Sequence, residues 1–182
     1  IDILINNGGV SQRASANDTS MEVNRQLMEV NFFGNIALAK AVLPIFRTQK
    51  AGQFLVVSSI AGKFGFHLRS IYSASKAALV GYYESLAMEE ATNGIRVTIA
   101  FPGKINTPIS KSALTAEGAA HGQMDRNQAS GMPVEQCVSQ LLNALASGKK
   151  EVLIGGKELI AVQLKRFLPR LFWKIIPKQS AT

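Results

Sequence analysis

The chain has 182 residues, 47% hydrophobic and 18% charged, which excludes a disordered protein and leaves room for one globular domain with a sizeable core. Its formal net charge of +8 is lopsided, because from Lys149 onward eight cations face only Glu151 and Glu158. A basic end interleaved with Leu, Phe and Trp suits a membrane or partner surface, and no nucleic-acid motif accompanies it, so no nucleic-acid partner is expected.

The first element is the continuously apolar run 1–6, "IDILIN", which reads as a buried strand and ends in the tip Asn6-Asn7-Gly8-Gly9. The chain opens inside this run rather than on a methionine. Targeting is therefore unreadable, and both a cytoplasmic and a peripherally membrane-associated location stay open. Residues 21–48 carry Leu27, Val30, Ala37, Leu38 and Ala41 at helical spacing, and Thr19 with Glu22 three positions on matches a capping box. Asn31, in "NFFG", sits among apolar neighbours within this helix.

A second strand, 53–58, ends in Ser58-Ser59; a helix over 73–93 follows, with Tyr72 and Lys76 at its start; a third strand, 96–101, stops at Pro102-Gly103. Residues 108–132 are polar, glycine-dotted and weakly periodic, long enough to cover a site as a lid. His121 lies within that stretch, and a lone loop histidine gives no ground for a role. A helix over 134–147 holds the single cysteine, Cys137, which reads as a small buried residue without metal-ligand partners, so no metal site is expected. The last strand is 151–155. Residues 159–182 are basic and apolar, with Pro169 expected to break them into two short helices and no run near the ~20 apolar residues that span a bilayer.

Strands and helices alternating in this order predict an α/β fold with a doubly wound, Rossmann-like parallel sheet, whose ligands collect at the carboxyl ends of the strands. Three tips would meet there: Asn6–Gly9, Ser58-Ser59 and Pro102-Gly103. Glycine allows close backbone approach to a bulky ligand, and Pro102 makes a rigid turn. Tyr72 and Lys76 are one helical turn apart and share a face. A lysine cation beside a phenol favours the phenolate, so Lys76 is expected to tune Tyr72 toward a working pH. Alone, a Y-x-x-x-K is more often a packed ring beside a solvated cation. Context decides the reading here.

That context is the ordered set Asn6-Asn7-Gly8-Gly9, Asn31, Ser59 thirteen residues before Tyr72, the Tyr72/Lys76 pair, and "PGKINT" from Pro102 to Thr107. It resembles the short-chain dehydrogenase/reductase family over residues 1 to about 155. The resemblance implies an NAD- or NADP-dependent oxidoreductase moving a hydride between the nicotinamide and an alcohol or ketone. It gives Tyr72 the acid/base role, Lys76 the roles of electrostatic partner and ribose ligand, Ser59 the substrate oxygen, and Asn31 a relay water. Asn7 and Gly8 would line the cofactor's adenosine side, Ile105 and Thr107 would meet the nicotinamide amide, and Asn6, Pro102 and Gly103 would also bind the cofactor. The family tip carries alanine where this chain has Gly8, and its glycine-rich pyrophosphate loop does not precede Asn6. Residues 1–156 thus read as the C-terminal portion of a Rossmann-type domain whose first strands lie upstream, with 157–182 as a separate tail.

The resemblance further implies a homo-oligomer, dimer or tetramer, formed through helices 21–48 and 73–93. The tail is similar to the endings of family members that act on lipids, steroids or retinoids, which makes a hydrophobic alcohol or ketone the expected small-molecule partner. Residues 159–182 could equally lie on a membrane surface or pack on another subunit. His67, with Phe64 and Phe66, is a candidate for substrate contact. Two other readings compete: a non-catalytic dinucleotide-binding scaffold, and a nucleotide-sugar epimerase or dehydratase, which needs a larger carboxyl-terminal domain than this chain has.

Overall fold

The structure, a computed structural model, describes residues 1–178; positions 179–182 of the expected tail lie outside the described residues. Four strands, β1 (Ile3–Asn6), β2 (Gly52–Val57), β3 (Ile95–Pro102) and β4 (Glu151–Ile154), form one parallel sheet in the order β1-β2-β3-β4. Their continuous apolar runs have the expected cause. In β2, Phe54, Leu55 and Val56 are all buried although they alternate between faces, because helices cover both sides.

One face carries helix α1 (Met21–Met28), a π-helical turn (Glu29–Phe33), α2 (Gly34–Gln49) and α3 (Ser70–Glu89). Phe46, Leu79, Tyr83 and Leu86 from this layer pack on Phe54, Val56, Val97, Ile99 and Phe101 of the sheet. The short helix α4 (Arg126–Ala129) lies in the segment before α5 (Val134–Ala146), which covers the opposite face, where Leu145 meets Leu55 and Ala100. Farther along that face Ile3 and Ile5 of the edge strand remain 47% and 50% exposed, so no described helix covers β1 there. The stretch Met21–Gln49 is long and apolar enough to cross a membrane by length and composition. Here it packs on the protein through Val23, Leu27, Asn31, Asn35, Ala39 and Phe46.

Two local expectations need correction. The first helix is capped by Ser20, whose hydroxyl accepts from the Val23 N–H, not by Thr19. Thr19 is buried one residue earlier, where its hydroxyl donates to the Ser15 carbonyl and accepts from the Gln12 amide. The helix 21–48 is also not uniform. At Asn31 a π-turn inserts an extra residue per turn, and the fully buried Asn31 amide pairs with both backbone groups of Val10. Sequence periodicity cannot register one inserted residue within a continuing helix.

The tail forms α6 (Ile160–Phe167) and α7 (Pro169–Ile175), with Pro169 in the first turn of α7, where its missing N–H costs nothing. Phe172 alone among residues 157–178 is buried. It packs edge-on against Phe64, with ring centroids 5.2 Å apart. Phe167, Leu168 and Trp173 remain exposed beside Lys165, Arg166, Arg170 and Lys174.

Candidate active site

At the carboxyl ends of the strands lies a cavity of about 440 Å³. Of the residues expected in a site, Asn7, Ser59, Tyr72, Lys76, Pro102, Gly103, Ile105 and Thr107 line it. Asn6, Gly8 and Asn31 do not. The Asn6 amide points beneath the cavity and donates to the Tyr83 hydroxyl at 2.6 Å and to the Asn35 carbonyl. In place of Gly8, Gly9 lines the wall, where an added Cβ would sit 3.2 Å from Asn31 Oδ1 and 3.3 Å from Lys76 Nζ. Phe66 also reaches the cavity, while Phe64 stacks behind it at 4.6 Å and His67 is exposed away from the lining.

The reactive side chains are fixed by their elements. Ser59 begins a short 3-10 turn (Ile60–Gly62), accepting from the Ala61 N–H at 3.1 Å and donating to the Pro102 carbonyl at 3.3 Å, which spans the tips of β2 and β3. Tyr72 lies in the first turn of α3 and shares a hydrogen bond with Ser59. That first turn is capped from a distance: the side-chain amide oxygen of Gln12, Oε1, accepts from the N–H groups of Ile71 and Tyr72 at 3.0 and 3.4 Å. Asn31 adds a brace, donating to Ser75 Oγ at 3.0 Å, which in turn donates to the Tyr72 carbonyl at 2.8 Å.

Burial raises the pKa of the Tyr72 phenol above its ordinary value, while the Ser59 hydrogen bond and then the charges of Arg69 and Arg13 oppose that rise. The Lys76 ammonium donates to the Val57 carbonyl at 2.9 Å and stands 5.9 Å from the Tyr72 ring centroid. Burial also lowers its own pKa to about 8, so it is a reluctant cation.

Sequence reading missed Gln12, Arg13, Arg69 and Asp125. Arg13 donates to Asp125 Oδ2 through Nε at 2.9 Å and Nη2 at 2.5 Å, and Arg69 Nη2 donates to the same oxygen at 3.0 Å. Both arginines and Asp125 line the cavity. Polar residues after strand tips look like ordinary loop composition, and nothing local marks them as part of a site. The segment 108–132 lies over this side, tied to the loop after β1 by Arg13 N–H to the Leu114 carbonyl at 2.8 Å and Leu114 N–H to the Ser11 carbonyl at 2.9 Å.

A helix-flanked parallel sheet with a cavity at its strand tips is the arrangement of a dinucleotide-binding fold. The family model described as short chain dehydrogenase matches residues 1–118, and the chain belongs to that family. It is 38% identical over 181 residues to dehydrogenase/reductase SDR family member 7B of Rattus norvegicus, covering 99% of this chain and 56% of the rat protein. It is 40% identical to a dehydrogenase/reductase SDR family protein 7-like of Anopheles gambiae, covering 57% of that protein. The chain thus spans a little over half the length of these curated relatives. Among solved structures, a short chain dehydrogenase from Burkholderia cenocepacia in complex with NADP superposes with a TM-score of 0.82 at 26% identity, over 98% of this chain and 70% of that one.

Proposed function

We propose that this chain carries the catalytic centre of an NAD- or NADP-dependent dehydrogenase/reductase that interconverts a hydrophobic alcohol and ketone. The observation that carries the reading is the Ser59–Tyr72 hydroxyl pair, hydrogen-bonded at the wall of a cavity that also holds Lys76. The residues present fit a dinucleotide. The Lys76 ammonium has three hydrogens and one protein acceptor among the described residues, Val57 O, leaving donors for ribose hydroxyls beside the open Gly9 wall. Asn7, Gly9, Lys76 and the turn from Pro102 to Thr107 would hold the cofactor. When bound, its nicotinamide supplies or accepts the hydride.

Ser59 steadies the substrate oxygen as charge develops on it, and Tyr72 transfers the proton. The phenol carries its proton near neutral pH as an ordinary tyrosine does, so Tyr72 can act as the acid in ketone reduction. Asn31 positions Tyr72 through Ser75 and holds Val10, in keeping with a place in the proton path. Phe66, Ile60, Ile109 and Leu142 give the cavity an apolar lining, which supports a hydrophobic substrate.

Exposed Val30, Phe33, Leu38, Ile45 and Met88 on the long helices support a homo-oligomer through that layer; sedimentation finding monomer alone would count against it. The exposed rings and cations of α6 and α7 support contact with an anionic membrane, and failure of the complete protein to float with anionic vesicles would remove that part.

The catalytic reading is tested by Tyr72→Phe in the complete protein. Turnover with a panel of apolar ketones should fall by roughly 10²–10⁴-fold, the usual size of an acid/base contribution, while dinucleotide binding is kept. Near-normal turnover would refute the role of Tyr72.

A further inference from the structure

The stretch from Asp125 to Met132 runs along the cavity wall and is pinned at both ends. At one end the Asp125 carboxylate takes the Arg13 guanidinium. At the other, Met132 pairs with the turn after β3: its N–H donates to the Lys104 carbonyl at 2.8 Å, and its carbonyl accepts from the Asn106 N–H at 2.9 Å. Those bonds use Lys104 and Asn106, so both backbone groups of Ile105, which lies between them, face away from Met132. The Ile105 carbonyl accepts from the Thr107 N–H at 2.8 Å and from Nε2 of Gln128. A carbonyl oxygen has two lone pairs, and both are thereby in use. Among the described residues nothing accepts from the Ile105 N–H. Gln128 belongs to α4, is half-buried, and lines the cavity together with Ile105.

We propose that Gln128 stands in for the carboxamide of the cofactor: its side-chain amide holds the Ile105 carbonyl until a nicotinamide amide takes its place. The proposal rests on the reading that the turn from Pro102 to Thr107 holds a nicotinamide dinucleotide. An N–H and a C=O offered by one residue complement a primary amide, which has an oxygen to accept and an NH2 to donate. Glutamine and nicotinamide carry that same group. Gln128 satisfies only the carbonyl half of Ile105, whereas an incoming carboxamide can satisfy both halves. A third donor can reach the carbonyl only if one of the present two leaves. The Thr107 N–H is part of the turn itself, so the Gln128 amide is the one that gives way. Asp125 and Met132 stay pinned on either side, and the Gln128 N–H stays on the Asp125 carbonyl at 3.0 Å, so the exchange is a side-chain rotation and not an opening of the segment. A ligand that must wait for its acceptor binds more weakly in proportion to the time the acceptor is taken. Gln128 is thus a residue that sets dinucleotide affinity, and it takes no part in the chemical step.

The test is direct binding to the complete protein by titration calorimetry, with NAD, NADP and their acetylpyridine analogues, in which a methyl group replaces the amide NH2. Gln128→Met removes the competing amide at similar side-chain length. It should tighten the natural dinucleotide by roughly 3- to 10-fold, the worth of one exchanged hydrogen bond, and leave the analogue within about twofold. The analogue has no N–H to place on Ile105, so it does not compete with Gln128. Gln128→Ala should tighten the natural dinucleotide as Gln128→Met does. Tightening by alanine alone would show that space matters and not the amide, which overturns the proposal. Equal tightening of natural dinucleotide and analogue overturns it too. If Gln128 itself grips the cofactor, or merely braces the wall, both variants should bind more weakly; that result, or no change, also refutes the exchange while leaving the dinucleotide reading intact. If the unmodified protein binds none of these dinucleotides, the cofactor reading fails and takes the proposal with it.

Discussion

Replacing Lys76 with methionine should stabilise the protein at neutral pH while removing its activity, and the size of the effect follows from burial. Lys76 is 3% exposed, and its pKa falls from an ordinary 10.5 to about 8 in the folded chain. Between those values the unfolded chain binds more protons than the folded one, so stability rises with pH across that window. Below it the folded state bears the whole penalty of a buried ammonium, about 3 kcal/mol for a depression of this size. Methionine removes that penalty but leaves the Val57 carbonyl without its partner, which costs about 1–3 kcal/mol at any pH. The absolute difference at neutrality is therefore a small net gain. Its change with pH is larger and cleaner: the advantage of the variant over the unmodified protein should shrink by about 3 kcal/mol on going from neutral pH to the ordinary lysine value. Urea unfolding of both proteins without dinucleotide, over that range, measures the difference directly. A difference that is flat with pH, or that grows toward alkaline pH, would refute the assignment of Lys76 as a buried, destabilised cation.

The other predictions concern the frame around the site. Phe172→Ala removes the one buried anchor among residues 157–178 and should cost about 3–5 kcal/mol locally, enough to release α6 and α7 rather than the whole domain. Hydrogen exchange should then show residues 160–175 losing protection while β2 and β3 keep theirs; loss of protection everywhere at once would count against a separately docked tail. Gly52→Ala places a Cβ 2.2 Å from Cγ of the fully buried Phe46 ring, so it should destabilise by about 1–3 kcal/mol in chemical denaturation, and an unchanged midpoint would be inconsistent with that packing. The Arg47 hydrogen bonds hold the Glu90 carboxyl below its ordinary 4.5 against the opposing effect of burial, with help from Asn93. The contribution of Glu90 to stability is therefore full above about pH 4.5 and lost as pH falls through the lowered value. Acid unfolding of Glu90→Gln should lack that component, and identical acid profiles would argue against it.

How much of this was readable from the sequence depended on whether a feature carried a period. The strands were legible because a strand covered on both faces is mostly apolar along its length, as Phe54–Val57 of β2 and Ile99–Phe101 of β3 are. Tyr72 and Lys76 were legible because four residues make one helical turn, and the break in the tail because Pro169 cannot donate within a continuing helix. The π-turn at Asn31 was not, since an extra residue leaves the pattern on either side intact. The cap at Ser20 was missed because Ser and Thr in adjacent positions offer equal local chemistry. Which of them turns inward is settled by Gln12, whose amide takes the Thr19 hydroxyl.

The cluster beside Tyr72 shows why the remainder could not be read locally. Arg13 and Asp125 stand 112 residues apart, and Arg69 and Asp125 56 apart, each in a stretch whose polarity fits an exposed loop. A charge in a loop is ordinarily solvated, and the sequence holds nothing at those positions that says otherwise. Burial makes the difference, and it comes from the sheet: β1, β2 and β3 run parallel and in register, so the loop after β1 and the start of α3 must emerge at the same edge. The 108–132 segment then crosses that edge and excludes water from it. The same closure that pairs Asp125 with two arginines raises the Tyr72 phenol and lowers the Lys76 ammonium. The family resemblance placed the hydroxyl pair and the lysine in advance, but the electrostatics they work in belong to the fold. Spacing along a helix says which side chains can meet, whereas the charge each one feels depends on what the distant parts of the chain bring to the same enclosed space.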